Sequence, residues 1–393
     1  MLVVADVEDF DSSKVAADIE NALDFSKFKM TWTDVAVAVG LSKSSFSHLK
    51  NGSEMKFFNL LGVADFLFKN KCLEKFKKWC LSFNQPKNLK YALEYLAVNR
   101  QVAELDELIK KIYRVQKDQN LLNTAKGYEI LLMYLNKEDS AKVISELRGY
   151  EPKSFEMKIL SVIIEIWALN RLREYSSMQT LINGLEKSIS DVSDEYIRKS
   201  FSLQVKEAKS YATLYKFNDI ENARKMAHEI IEENFSATFA ANASYLLGTS
   251  YLFEDYDICL GYMNEYKKFL IDAGREDDIV AVDKYDIPFI NNYWNKRHSS
   301  LTGIDPSEIA HYEAQNGDKQ LAVDIINESI KQEGVSGFKL YYKALATQDD
   351  TLFMQSMVYF VSKKGDKFYA NLPYRYLKDS VVYKPIADLL MEE

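Results

Sequence analysis

The chain has 393 residues, 47% of them hydrophobic, and carries a formal charge of −8. That length supports two or three domains around a large core. Three cysteines (Cys72, Cys80 and Cys259) exclude a disulfide framework at this size, and the absence of an apolar run of 18 residues argues against a membrane span.

The first element in chain order is a helix-turn-helix over residues 32 to 52. Ala36 is small where two helices cross, and Gly40 supplies the positive φ of a tight interhelical turn. Ser42 is placed to cap the second helix by accepting a backbone N–H. Val39, Leu41, Phe46 and Leu49 are expected to form the local core, and Gly52 closes the segment. The competing reading is an ordinary helical hairpin. In a DNA reader, Ser42, Lys43, Ser44, Ser45 and Ser47 begin or line the recognition helix and reach base edges, while Lys50 and Asn51 contact phosphates. The charge is placed accordingly. Residues 27 to 80 hold ten lysines against four acids, a net +6 that leaves −14 elsewhere. A basic head on an acidic body fits phosphate contact confined to the head. A solvated lysine face over residues 71 to 78 would show the same excess.

A boundary is expected at Asn84 to Lys87, where Pro86 disfavours helix at Gln85 and can begin the next helix. Beyond it, apolar residues recur at helical spacing, as in Ile159, Val162, Ile163, Ile166 and Trp167, and no series of alternating strands appears. The predicted fold class is all-α. The body also repeats. A pattern of apolar or small residues spaced four and then three apart occurs as Ala223, Ala227, Ile230 and as Cys259, Met263, Tyr266. Weaker copies begin at Ala141, Met178, Ala322 and Phe353. Most intervals suit a tetratricopeptide-like repeat of about 34 residues. The gap before Ala322 implies a long element or a missed repeat. In the clearest copy Gly248 lets two helices pack closely, Tyr251 follows, and a turn falls at Glu254-Asp255. Stacked pairs form a solenoid whose concave face can hold a peptide. Irregular helical packing is the alternative. The expected organisation is a helix-turn-helix domain over 1–84, a TPR-like solenoid over 85–375, and a capping or dimerisation segment over 376–393. In that last segment Ile386, Leu389 and Leu390 share one helical face. They seal the last layer or form a partner surface.

Catalytic signatures are missing. There is no phosphate-loop or dinucleotide glycine motif and no Gly-x-Ser-x-Gly elbow. Adjacent acids such as Glu232-Glu233 and Asp277-Asp278 do not face each other on a helix. His48, His228, His298 and His311 are scattered, with no Cys-x-x-Cys or His-x-x-x-His pair to suggest zinc. The chain therefore reads as a non-enzyme without metal or cofactor. It lacks a positively charged signal region and is expected in the cytoplasm.

Several stretches resemble the arbitrium receptors, AimR, of temperate Bacillus phages. They are Tyr91-Ala-Leu-Glu-Tyr95, Gly248-Thr-Ser-Tyr-Leu-Phe253, Phe289-Ile-Asn-Asn-Tyr-Trp294, Tyr341-Tyr342, and Gly365-Asp366-Lys-Phe-Tyr-Ala-Asn-Leu-Pro373. They occur in order over nearly the whole chain. The resemblance implies a homodimeric DNA-binding regulator of the lysis–lysogeny decision, silenced by a secreted hexapeptide held inside the solenoid. It also implies that the C-terminal segment helps dimerisation. By the same resemblance, Asp366 meets a peptide arginine through a charge-assisted bond, and Phe289 is a wall. Positions where the family clamps the peptide backbone with Asn or Arg fall on Tyr211, Tyr215, Thr238 and Thr249. The expected partners are thus operator DNA, a short peptide containing arginine, and a second copy. Rival readings are a peptide-responsive regulator of host genes, which shares this physics, and a repeat adaptor that docks a protein partner. Sequence-specific DNA retention separates the adaptor from both regulators.

Overall fold

The structure is a computed structural model that describes residues 12–24 and 30–392, with the side chains of residues 12, 43 and 48 outside the description. Every regular element among the described residues is helical. They fall into two compact units, Met1–Ile164 with Asp191–Ser200, and Glu165–Ser190 with Phe201–Glu393.

The first unit begins with α1 (Ser12–Asp24), α2 (Trp32–Ala38) and α3 (Lys43–Lys50). Val15, Ile19 and Leu23 recur every four residues on α1 and are buried. Thr31 and Asp34 form a reciprocal capping box that starts α2. Next come α4 (Phe57–Phe68) and α5 (Cys72–Cys80), joined by a short 3-10 turn. Then α6 (Pro86–Val98) opens with Pro86 in its first turn and Gln85 extended, as the steric clash before proline requires. The segment between α5 and α6 is tied down. The Glu54 carboxylate accepts the backbone N–H groups of Asn84 and Gln85 and the Asn88 amide. Phe57, Phe76 and Phe83 pack with Tyr91 and Tyr95, so the boundary expected at 84–87 runs through a shared aromatic core. The unit continues with α7 (Val102–Val115), α8 (Gln119–Leu135), α9 (Ser140–Gly149) and the start of α10 (Phe155–Leu172), and it includes the start of α12 (Glu195–Tyr215).

The second unit holds the remainder of α10 and α12, with α11 (Tyr175–Ser190) between them. It continues through α13 (Ile220–Glu232), α14 (Ala237–Ser250), α15 (Tyr256–Asp272), α16 (Glu276–Ala281) and α17 (Ile287–Tyr293). Five residues of π-helix (Val282–Asp286) fuse α16 to α17. The unit ends with α18 (Pro306–Asn316), α19 (Lys319–Glu333), α20 (Gly337–Thr347), α21 (Asp350–Val358), α22 (Lys367–Leu377) and α23 (Lys384–Glu392).

Successive helices pair, and the sequence pattern fell on the second member of each pair. Ala223, Ala227 and Ile230 on α13, Cys259 and Met263 on α15, Met178 on α11, Ala322 on α19 and Phe353 on α21 are all buried. The copy begun at Ala141 is out of register: Ala141 is exposed and Val143 carries the buried position of α9. The long gap before Ala322 contains the fused helix α16–α17, followed by an irregular segment and α18. Gly248 meets α15 closely, since a Cβ there would lie 3.0 Å from Met263 Cε and 3.2 Å from the Cys259 carbonyl oxygen. Asp255 ends the turn by capping α15 through the Ile258 N–H.

The turn inside each early pair uses a left-handed residue that is not glycine. Arg100, Lys137, Arg173 and Asn218 all have positive φ and follow α6, α8, α10 and α12. Such turns reverse the chain in very few residues, at a conformational penalty for L-residues.

Candidate functional site

In the N-terminal segment the short helices α2 and α3 are joined through a turn at Gly40. Gly40 takes φ +68° and Gly52 φ +88°, the left-handed conformations that favour glycine. Phe46 and Leu49 are buried, as expected, with Ala36 and also Val35; Val39 and Leu41 are only half-buried. Trp32 meets Phe46 edge to face at 5.1 Å. Ser42 occupies the N-cap position of α3, but its side chain makes no capping bond. The hydroxyl instead hydrogen-bonds those of Ser44 at 2.7 Å and Ser45 at 3.0 Å. The expected cap is thus replaced by a serine cluster. Ser42, Ser44, Ser47 and Asn51 are exposed on α3 and its ends, and Ser45 is half-buried. Lys43 belongs to the first turn, and its side chain lies outside the described ones. Lys50 is exposed, 4.3 Å above the Trp32 ring and 3.6 Å from Glu20. Its charge is therefore held on the surface of the hairpin rather than free to sweep.

The second expected site lies inside the second unit. Tyr215 on α12 is its hub. Its ring stacks on Tyr211, Tyr175 and Tyr369 at 5.9, 5.8 and 5.7 Å. Tyr211 also meets Trp167 edge to face. Phe289 packs against Tyr369, Phe338 and the His311 ring. Thr249 is buried on α14. Tyr245, Thr249, Asp286, Phe289 and Tyr369 line a hollow of about 10 Å³, the room of one water. Five of the six expected peptide residues are therefore brought into one aromatic cluster: Asp366, Phe289, Tyr211, Tyr215 and Thr249. Thr238 is buried near the start of α14 with its hydroxyl unpartnered. Eleven residues of helix place it on the same face as Thr249, about 16 Å away.

Asp366 is fully buried, and both carboxylate oxygens are in use. One accepts the Tyr369 N–H at 2.9 Å and so caps α22. The other is bonded to the Arg173 guanidinium, which also lies over the Tyr369 ring at 5.8 Å. Burial pushes the Asp366 carboxyl up to about 6, against the pull of Arg173. The carboxylate expected to meet a peptide arginine is thus paired here with an arginine of its own chain. A peptide guanidinium could pair with Asp366 only by displacing Arg173.

Arg173, Tyr175, Tyr245, Asp286 and Tyr369 were not singled out from sequence. Tyr369 and Asp286 each stood three residues from a named position, Asp366 and Phe289, and three-residue spacing shares a helical face. Arg173 carried no signal, because its role depends on a turn 193 residues from its partner.

At the C-terminus, Ala387 is the buried position of α23, while Ile386 and Leu389 are exposed and Leu390 is half-buried. The small Ala387 closes the unit's last layer, and the larger side chains stay outside. Val381 and Val382 extend the exposed apolar surface. No helix among the described residues is long and apolar enough to cross a membrane.

A family model described as AimR transcriptional regulator-like matches residues 73–379. An uncharacterized protein of Bacillus anthracis is 27% identical over 235 residues, which span 57% of this chain and 85% of that relative. The AimR transcriptional regulator of Bacillus phage phi3T is 24% identical over 326 residues, 80% of this chain and 83% of that one. Among solved structures, a phAimR–ligand structure shares the fold with a TM-score of 0.72 at 22% identity, over 83% of this chain and 97% of that chain. A selenomethionine phAimR structure gives 0.68 at 20% identity, over 97% and 99%.

Proposed function

The chain belongs to the AimR transcriptional regulator-like family, a family of regulators rather than enzymes, and from that premise we propose that it is a peptide-silenced, DNA-binding regulator of a phage lysis–lysogeny decision. The observation that carries this reading is the pairing of two features in one chain. The helix pair α2 and α3, with Gly40 and Gly52 in left-handed turns, precedes the matched region, and an aromatic interior lies within it. The domain organisation proposed is the head over 1–84, the solenoid over 85–375 and the terminal segment over 376–393.

In this reading Ser42, Ser44 and Ser47 face base edges, joined by Lys43, and Lys50 and Asn51 engage phosphates. The homodimer forms through the exposed Ile386 and Leu389, with Leu390 at their edge, and presents two heads to a bipartite site. The peptide, one that contains arginine, lies along Tyr211, Tyr215, Thr238, Thr249 and Phe289. Asp366 holds α22 and the turn at Arg173 in place beneath it. Aromatic side chains suit a short peptide because they add contact area at low entropic penalty. Gel retardation of promoter fragments from the surrounding genome tests the DNA-binding half. Retention that weakens steeply with salt is expected. A chain that retains no fragment at low salt is not a DNA reader.

A further inference from the structure

The first unit has a cavity of its own, of about 420 Å³, walled by the opening turns of α6, α10 and α12 and by the first half of α8. That volume lies in the range of small-molecule pockets, roughly 300–1,000 Å³. Tyr91, Tyr128, Met157 and Ile197 on its lining are buried, and the two tyrosine hydroxyls are taken up by Asp194 and Glu94. Asp194 is itself spent, since its other oxygen caps α12 through the Tyr196 and Ile197 N–H groups. Three charged side chains on the lining are not spent. Lys87 and Lys90 on α6 are exposed and make no ion pair, and Lys87 lies over the Tyr91 ring at 5.8 Å. Glu156, in the first turn of α10, is half-buried with no hydrogen bond or ion pair.

We infer that this cavity binds a nucleotide, with the phosphate on Lys87 and Lys90 and the amino group of the base on Glu156. Residues three apart on a helix are surface neighbours, so the two ammonium groups can close on one anion. A phosphate monoester matches the pair, because it carries about −1.5 to −2 at pH 7. The lysines also stand where cations are otherwise disfavoured. They occupy the N-terminal turns of α6, which has no side-chain cap and no acid in its first turn. An anion held there relieves both conditions. Glu156 demands the opposite chemistry. A carboxylate only accepts hydrogen bonds, so the part of the ligand against it must donate, as the amino group of a base does. Between the two ends, the Tyr91, Tyr128, Met157 and Ile197 surfaces suit a flat, largely apolar ring. The nucleotide would be a second input, received in the unit that also carries α2 and α3.

The test titrates the full chain with AMP, GMP, CMP and UMP, and with inorganic phosphate, followed by ligand-observed NMR. At least one of AMP, GMP and CMP is expected to saturate the chain with a Kd below about 1 mM. UMP, whose base has no amino group, should bind at least about five-fold more weakly than that nucleotide. The double change Lys87→Ala with Lys90→Ala should weaken the preferred nucleotide at least about ten-fold. Glu156→Ala should bring that nucleotide and UMP within about two-fold of each other. Four nucleotides that all fail to saturate the chain would overturn the inference. So would inorganic phosphate binding as tightly as the nucleotide, which marks an anion site only, or UMP binding as tightly as the others. Unchanged affinity in the lysine variant would place the ligand elsewhere and refute the site. The lysines are exposed, so that variant should keep its fold by circular dichroism. If Glu156→Ala unfolds, the lysine variant and the UMP comparison in wild type decide. These outcomes are independent of the peptide-sensing reading, whose residues lie in the second unit.

Discussion

Arg173 and Asp366 stand 193 residues apart in sequence and form one ion pair that fastens the turn between α10 and α11 to the first turn of α22. The left-handed backbone of Arg173 aims the guanidinium, and the N-cap geometry of Asp366 aims the carboxylate. Removing the cation leaves a fully buried charge. Arg173→Ala is expected to destabilise the chain by about 3 kcal/mol at pH 8. The sign with pH follows from the raised carboxyl. Burial places Asp366 at about 6 in the folded chain, above its ordinary 3.8, so its ionisation opposes folding as pH rises. Without Arg173 the carboxyl rises further, and protonation should restore most of the lost stability at pH 5. Urea unfolding of wild type and variant at the two pH values checks this.

Asp286 is the second group whose charge the fold disfavours. It sits at about 7, raised first by burial, with the Tyr245 hydrogen bond pulling the other way and Glu308 pushing it higher. A carboxyl raised in the folded state diminishes stability above its folded value, and the penalty disappears as pH falls toward 4. Asp286→Asn is therefore expected to stabilise the peptide-free protein at pH 8, on the order of 2 kcal/mol after allowance for solvent screening. The gain should shrink between pH 7 and pH 4. The groups facing Asp286 are Tyr245 from α14, Tyr369 from α22 and Glu308 from α18. The tyrosines are held neutral throughout this range, since burial pushes Tyr369 upward and the Asp286 charge, with burial, does the same to Tyr245. A thermal-shift series across pH on wild type and Asp286→Asn measures the effect.

How much of this was legible follows from which signals are local. Gly40, Pro86 and Gly248 could be read because each answers a steric demand made by its immediate neighbours. The repeat register could be read where small residues face a partner helix, as at Ala223 and Ala227. It slipped at Ala141, where Val143 fills the same role from two residues on. The Ser42 cap failed because nearby serines compete for the hydroxyl. Tyr211, Tyr215, Thr249, Phe289 and Asp366 were found together through resemblance, but what Asp366 bonds was not. A partner supplied by a non-glycine left-handed turn far along the chain leaves no mark at Asp366 itself.

On the head, the serines and Lys50 should separate by assay. Ser44→Ala and Ser47→Ala are expected to relax base preference, each by about 1–3 kcal/mol at one position if the hydroxyl reads a base. Lys50→Ala should weaken all sequences alike and reduce the salt slope by about one. Loss of the Trp32 and Glu20 contacts should change stability by less than about 1 kcal/mol, because both are at the surface. Fluorescence anisotropy on matched and scrambled fragments at several salt concentrations distinguishes these outcomes.

At the other end, Leu389→Glu places a charge on an exposed apolar face without disturbing the buried Ala387. It should convert the proposed dimer to monomer in light scattering while leaving helical content unchanged. A wild-type chain that is monomeric at micromolar concentration would remove the terminal segment from any partner surface.

The central claim is that one molecule couples DNA release to peptide capture, and a footprinting titration addresses it most directly. The full chain is bound to the genomic fragment it retains best, and a hexapeptide selected from a random pool for binding to the free chain is added in increasing amounts. Protection of the site should decline with the same midpoint at which the peptide binds the free chain, shifted only by the linkage between the two equilibria. Protection that persists unchanged at peptide concentrations that saturate the second unit would contradict the account.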